Sequence, residues 1–196
     1  MPKLNAKDIL IPTVALVVIC AVTTALLAGT NEMTKEPIAV ADEQSRRQSM
    51  EAVTPNATAE FEKIEISDSA SECYAAKDAD GNIIAYAVST GAKGYGGTIK
   101  VMTGFNAEDG SIIAVNVYDN SDETPGLGAK TSDEKFSGQF SGEYTGSGFA
   151  VSKDADKMPE NKTVDAVTGA TISSRAAVSA VNNAVSIYNE ITGGDK

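Results

Sequence analysis

The sequence predicts an α+β domain held behind a single membrane-spanning helix. Three observations carry this. Near the N-terminus, Ile9 to Ala28 (ILIPTVALVVICAVTTALLA) is a 20-residue stretch without a charged side chain. Further on, two pairs of strand-like runs are joined by Asp80-Gly81 and Asp109-Gly110. The C-terminal segment repeats apolar residues at helical spacing.

The apolar run matches a hydrocarbon core of about 30 Å at a rise of about 1.5 Å per residue. A cleaved signal peptide would have an apolar region of only ~7–15 residues followed by a small-x-small site. Here Leu26 would occupy the −3 position of a cut after Ala28, so the run reads as an uncleaved anchor. Val17-Val18-Ile19 likewise disfavours a lipid attachment at Cys20. Lys3 and Lys7 precede the run, and acidic residues dominate after Lys35. The positive-inside rule then puts the N-terminus in the cytoplasm and the rest outside. The predicted organisation is a cytoplasmic tail at 1–8, a membrane helix at 9–28, a helical stalk at 29–58 and a folded domain at 59–196.

Within the stalk, Glu36-Pro37 opens a polar helix to Val53, and Thr54-Pro55-Asn56 breaks it. Ala59 to Ile66 fits either a helix or a strand. From Cys73 the pattern alternates: CYAAK and IIAYAVST flank Asp80-Gly81, and Gly97–Phe105 and Ser111–Asp119 flank Asp109-Gly110. Such turns join antiparallel strands. Ile113, Val115 and Val117 are placed on one face by the period of two. Asn120–Gly128 reads as a loop, Ser132–Phe140 as a short helix, Gly142–Gly148 as a loop and Val164–Val167 as a short strand. Ser174–Ile191 is a helix with Val178, Val181, Val185 and Tyr188 on one stripe, capped by Ser173 or Ser174 and ended by Gly193-Gly194.

Composition narrows the chemistry. The chain has 196 residues, 42% hydrophobic and 22% charged, with no His and no Trp. Without His the usual neutral-pH base and the commonest metal ligand are missing. Cys20 and Cys73 are too few for an iron–sulfur cluster and read as free thiols. We assign no metal ligand and no catalytic side chain. Net charge is −11; Lys3, Lys7 and Asp8 contribute +1, so the remainder carries −12. That surface repels phosphate backbones and argues against nucleic acid.

The informative segment is Asp165-Ala166-Val167-Thr168-Gly169-Ala170-Thr171, where a strand ends and the last helix begins. A helix start exposes unpaired N–H groups and the positive end of its dipole, so a phosphate is stabilised there without any Lys. The plain alternative is a capping turn of small polar residues. Two further segments stand out. Gly94-Tyr95-Gly96-Gly97 fits a tight hairpin entry and matches neither a P-loop nor a dinucleotide fingerprint. Glu123-Thr124-Pro125-Gly126-Leu127-Gly128 fits a type II turn.

Taken in order behind an anchor, these segments resemble the covalent-FMN subunits of Rnf and Na⁺-translocating NADH:quinone reductase complexes. The flavinylation motif of that family is Asp-x-x-(Ser/Thr)-Gly-Ala-(Ser/Thr), and Asp165, Thr168, Gly169, Ala170 and Thr171 match every specified position. The resemblance implies an extracytoplasmic FMN-binding domain in which a flavin transferase cleaves FAD and links FMN through its phosphate to Thr171. Tyr95, Gly96, Gly97, Glu123, Thr124, Leu127 and Gly128 would line the flavin, with Tyr95 or Leu127 against the ring. Length and a short stalk look most like the G-type member of the Rnf complex. The C-type member of the quinone reductase ranks second, and a flavin-domain sensory or binding module third. The implied role is electron carriage between ferredoxin and NAD⁺, coupled to ion export. The implied partners are the A, D and E membrane components of the Rnf complex and its B and C cytoplasmic components.

Overall fold

The computed structural model describes residues 6–58, 60–142 and 148–193. The start of the 1–8 tail, residue 59 at the head of the 59–196 domain, most of the Gly142–Gly148 loop and Gly194 lie outside the described residues. The chain divides into two units between Gln44 and Ser45.

In the first unit, the apolar run is helical, as part of α1 (Ala6–Val53), and is long and apolar enough to cross a membrane. Its large apolar side chains, from Ile9 to Leu27, are exposed. The hydroxyls of Thr13, Thr23 and Thr30 donate to the carbonyls of Ile9, Ile19 and Leu26 at 2.8–2.9 Å, which satisfies them without water. Pro37, expected to open a new helix, lies inside α1.

The second unit is built on a five-stranded antiparallel meander: β1 (Phe61–Ile64), β2 (Glu72–Lys77), β3 (Ile83–Lys93), β4 (Thr98–Asn106) and β5 (Ile112–Asp119), paired in chain order. Both Asp-Gly turns form as expected, with Gly81 at φ 85° and Gly110 at φ 74°. The ambiguous Ala59–Ile66 contributes the edge strand β1. A short helix, α2 (Glu134–Ser137), follows β5 between two 3₁₀ turns. Then β6 (Phe149–Val151) pairs in parallel with β7 (Lys162–Val164). Sequence missed β6, and β7 ends where a strand over Val164–Val167 was expected. Three-residue strands are too short to show a period.

One face of the sheet is covered by α3 (Thr171–Thr192). Val178, Val181, Val185 and Tyr188 are all buried, as their spacing predicts. They pack on Cys73, Val88, Val101 and Phe105, and the Tyr188 ring stacks on Phe105 with centroids 4.6 Å apart. Each such buried side chain contributes roughly 1.5–3 kcal/mol. The expected β5 face needs one correction. Ile112, Val115 and Val117 are buried, whereas Ile113 is not. The ladder skips between Gly104 and Phe105, pairing Phe105 with Ile112 and Gly104 with Ala114. This bulge inserts one residue and moves Ile113 off the core face.

The other face carries Tyr74, Ala87 and Met102, which alternate with the first set along their strands. Met50 and Val53, from the end of α1, close over them. Ser45–Val53, in the stalk by sequence, is therefore packed on the sheet.

Candidate functional site

Helix α3 starts at Thr171, three residues before the expected Ser174. Its N-cap is Ala170, and no side chain makes a capping hydrogen bond. The two candidate caps do other work. Ser174 Oγ accepts the Val167 N–H at 3.0 Å and donates to the Ala170 carbonyl at 2.9 Å, tying the motif's turn to the helix. The turn itself closes by Ala170 N–H to Val167 O at 2.9 Å, with Gly169 at φ 81°. A side chain there would be strained, which accounts for the glycine of the motif. Upstream, Asp165 accepts a 2.6 Å bond from Ser152 Oγ, and its N–H donates to Gln139 Oε1 at 2.8 Å.

Ser173 reaches away from the helix and donates to Glu123 Oε2 at 2.6 Å. Glu123 is only 3% exposed, and Gly96 N–H donates to its Oε1 at 3.1 Å. Burial alone would raise the Glu123 carboxyl. Hydrogen bonds from Ser173 and from the backbone at Gly96, Tyr95 and Gly97 outweigh it and hold the group below the ordinary carboxylate value. One ionised carboxylate thus binds all three sequence segments: it belongs to the Glu123–Gly128 loop, caps the Gly94–Gly97 turn and is held by α3. The Glu123–Gly128 loop makes the expected type II turn, with Leu127 N–H to Thr124 O at 3.1 Å and Gly126 at φ 76°.

The glycines of these loops answer to close approach. A Cβ on Gly94 or Gly128 would overlap the Glu123 carboxylate, and one on Gly96 would overlap the Asp122 carbonyl. Gly97 faces the Asp122 side chain in the same way. The Gly94–Gly97 turn is therefore more than a hairpin entry: it is the seat of the neighbouring loop.

Above this junction lies a cleft of about 480 Å³, within the ~300–1,000 Å³ of small-molecule sites. Tyr95, Glu123, Thr124, Leu127, Gly128, Gly169, Ala170 and Thr171 line it, together with Ile172, Ser173 and Lys153. Tyr95, Leu127 and Ile172 are exposed, leaving apolar side chains in solvent at its walls. Of the residues singled out by sequence, Gly96 and Gly97 support the cleft from beneath. Asp165 and Thr168 line a second cleft of about 570 Å³, which also contains Lys153. An uncapped helix start, a hydroxyl, an ammonium group and apolar walls suit a phosphorylated, flat, apolar ligand such as FMN.

Lys153 was missed by sequence. It stands in the 3₁₀ turn Ser152–Lys157, and its Nζ donates to Thr171 Oγ1 at 3.1 Å. The same turn is fastened to α3 by Arg175, which reaches Asp154 through two bonds of 2.6 and 2.7 Å. Nothing local in the segment SKDADK announces the pairing with residues 18 and 21 positions away.

Known proteins are similar to this chain over most of its length. Residues 94–186 match the FMN-binding domain family, and residues 1–53 match the RnfG N-terminal region. The chain is 33% identical over 187 residues to the G component of the ion-translocating oxidoreductase complex of Methanosarcina acetivorans, covering 92% of this chain and 95% of that one. It is 34% identical over 192 residues to the G component of the Na⁺-translocating ferredoxin:NAD⁺ oxidoreductase complex of Acetobacterium woodii, covering 90% of each. Among solved structures, the C component of the Na⁺-translocating NADH-quinone reductase from Parabacteroides distasonis superposes with a TM-score of 0.60 at 20% identity, covering 79% of this chain and 94% of that one.

Proposed function

The chain belongs to the RnfG family, the G components of ion-translocating oxidoreductase complexes, and from that premise we propose that Thr171 carries its FMN through a phosphodiester. The protein is a membrane-anchored flavoprotein and a redox component of such a complex, not catalytic alone. Bound FMN supplies one- and two-electron transfer chemistry. The likeness to the quinone reductase protein is one of fold, whereas the identity to the RnfG relatives runs over nine-tenths of the chain.

The observation that carries the reading is the position of the Thr171 hydroxyl: on the first residue of an uncapped helix, in a cleft where all three glycine-containing segments meet. The helix start compensates the charge of a phosphodiester. Glu123 fixes the two loops beneath, and Tyr95, Leu127 and Ile172 offer apolar contact to the ring. A hydroxyl linked this way would keep the flavin from being lost outside the cytoplasm, the side on which the positive-inside rule would put the domain. Electrons would pass between this flavin and centres in the other members of the complex, with ferredoxin and NAD⁺ as the terminal couples. A flavin transferase would load the site.

The chain made in a host that has the transferase should give a band that fluoresces on a denaturing gel. Its tryptic peptide Thr163–Arg175 should carry the FMN mass. Thr171→Ala should abolish both, whereas Thr168→Ala leaves the attachment atom in place. An unmodified peptide from the native host would overturn the assignment. Loss of ferredoxin-dependent NAD⁺ reduction in membranes of the Thr171→Ala strain separates an electron carrier from a sensory module.

A further inference from the structure

Resting on the attachment at Thr171, we propose that Lys153 is the residue that binds the phosphoryl group during and after flavin attachment. In this step the Thr171 oxygen bonds to the flavin-side phosphorus of FAD, the P–O bond to the adenylate breaks, AMP leaves and the hydroxyl proton is released. Negative charge on the phosphoryl oxygens lies next to Thr171 Oγ1 throughout, and Lys153 Nζ is already 3.1 Å from that atom.

Several features single out Lys153. It is common to the cleft that holds Thr171 and to the adjoining cleft lined by Asp165 and Thr168, so it stands at their junction. Of the other cations nearby, Lys130 and Lys135 line the adjoining cleft but not the one that holds Thr171, and Arg175, one helical turn after Thr171, is engaged by both oxygens of Asp154. That pair draws the Arg175 guanidinium away from the phosphoryl position. It also clamps the 3₁₀ turn that presents Lys153, so Arg175 and Asp154 act as positioning residues. An ammonium on a flexible stem can follow the oxygen from hydroxyl to diester, as lysines do at other phosphate sites. The helix start alone gives a fixed partial charge that fades within its first turn; Lys153 adds a full charge at the reacting atom.

The experiment uses the full chain in detergent, purified from a host lacking the transferase, then incubated with FAD and purified flavin transferase. Covalent fluorescence is followed with time. Wild type should load and Thr171→Ala should stay dark; a dark wild type sinks the underlying reading and this inference with it. Lys153→Gln should slow loading at least about tenfold, the size of one charge-assisted hydrogen bond. Its melting temperature should be unchanged, because the side chain is exposed. Lys153→Arg should stay within about threefold of wild type because it keeps the charge. Chains loaded to completion should also differ in the ³¹P resonance of the diester between wild type and Lys153→Gln. Wild-type loading by Lys153→Gln overturns the inference while leaving the attachment at Thr171 standing. So does Lys153→Arg as slow as Lys153→Gln, or slow loading of Lys153→Gln with an unshifted ³¹P signal, which would place Lys153 in transferase docking instead.

Discussion

The two faces of the sheet are covered by helices that do different work. On one face α3 lays down a continuous apolar stripe, and its N-terminal turn is left without a side-chain cap. On the other, the residues at the end of α1, within the same unit, make contact. There a small apolar group (Met50, Val53) is flanked by a charged anchor: Arg46 pairs with Glu72, which also binds Lys63 Nζ at 2.7 Å and the Tyr74 hydroxyl at 3.0 Å. The C-terminal end of α1 is finished, with Thr54 Oγ1 donating to Met50 O at 2.8 Å. One helix packs its apolar stripe into the larger core cluster and offers an open end to chemistry; the other is closed off and anchored by charge. Strong packing behind α3 is what lets its first turn stay uncapped, since a missing cap costs only ~0.5–2 kcal/mol.

The largest effect should come from the α3 face. Phe105 is fully buried and stacked on Tyr188. Phe105→Ala should cost about 3–5 kcal/mol and lower Tm by roughly 10 °C, measured by circular dichroism. If the two faces contributed equally, Met50→Ala would cost as much; a smaller loss is expected, because the α1 group is smaller and Met50 retains 6% exposure.

Next in size is Glu123→Gln. The amide places an NH₂ among donors, so one bond from Gly96 or Ser173 is lost inside a buried site, at a cost of about 1–3 kcal/mol. Flavin loading on Thr171 should fall with it, because the Gly94–Gly97 and Glu123–Gly128 loops share this carboxylate. Unchanged loading with the fold intact would mean that the cleft does not depend on Glu123. On the opposite face, Gly104→Ala meets the Val53 carbonyl and should displace the end of α1 at roughly 1–3 kcal/mol while loading stays intact. The pair of variants therefore separates the two faces by their readouts.

How much of this was legible in the sequence follows from the range of each signal. The α3 stripe, both Asp-Gly hairpins and the apolar run declare themselves within one turn or one strand, and the structure holds all of them. The motif at Thr171 was legible through its resemblance, and its glycine is explained by a local dihedral. The rest depends on contacts across the chain. Glu123 reads as part of a loop, yet it is the strut between residues 27 and 50 positions away. Lys153 sits in a run of charges with no local pattern, and only the distant Thr171 and Arg175 give that run its place. Ile113 and Ile112 exchange faces because of a bulge that leaves no mark on alternation. Ser173 and Ser174 looked equivalent as caps; Ser173 instead reaches Glu123, 50 positions away, and Ser174 ties the turn at Val167 and Ala170 to the helix.

The smallest effect tests the charged anchor of α1 by pH. Burial works to raise the Glu72 carboxyl, but the bonds from Lys63, Tyr74 and Arg46 prevail and hold it below its ordinary 4.5. A carboxyl whose value is depressed on folding binds protons more readily when unfolded, so its contribution is complete above about 4.5 and is lost as pH falls through the lower, folded value. Amide exchange over Ser45–Val53 should therefore accelerate on acidification below about pH 4.5, relative to the core of α3. Glu72→Gln should remove that acid-dependent step and loosen the segment at neutral pH. Asp154 is depressed too, chiefly by its hydrogen bonds from Arg175, so the turn carrying Lys153 should loosen further into acid, as pH falls below its ordinary 3.8. Acid would then release the ends of both helices while the apolar stripe of α3 holds. Uniform loosening of α3 along its length at the same pH would contradict the division between an apolar face and an ionic one.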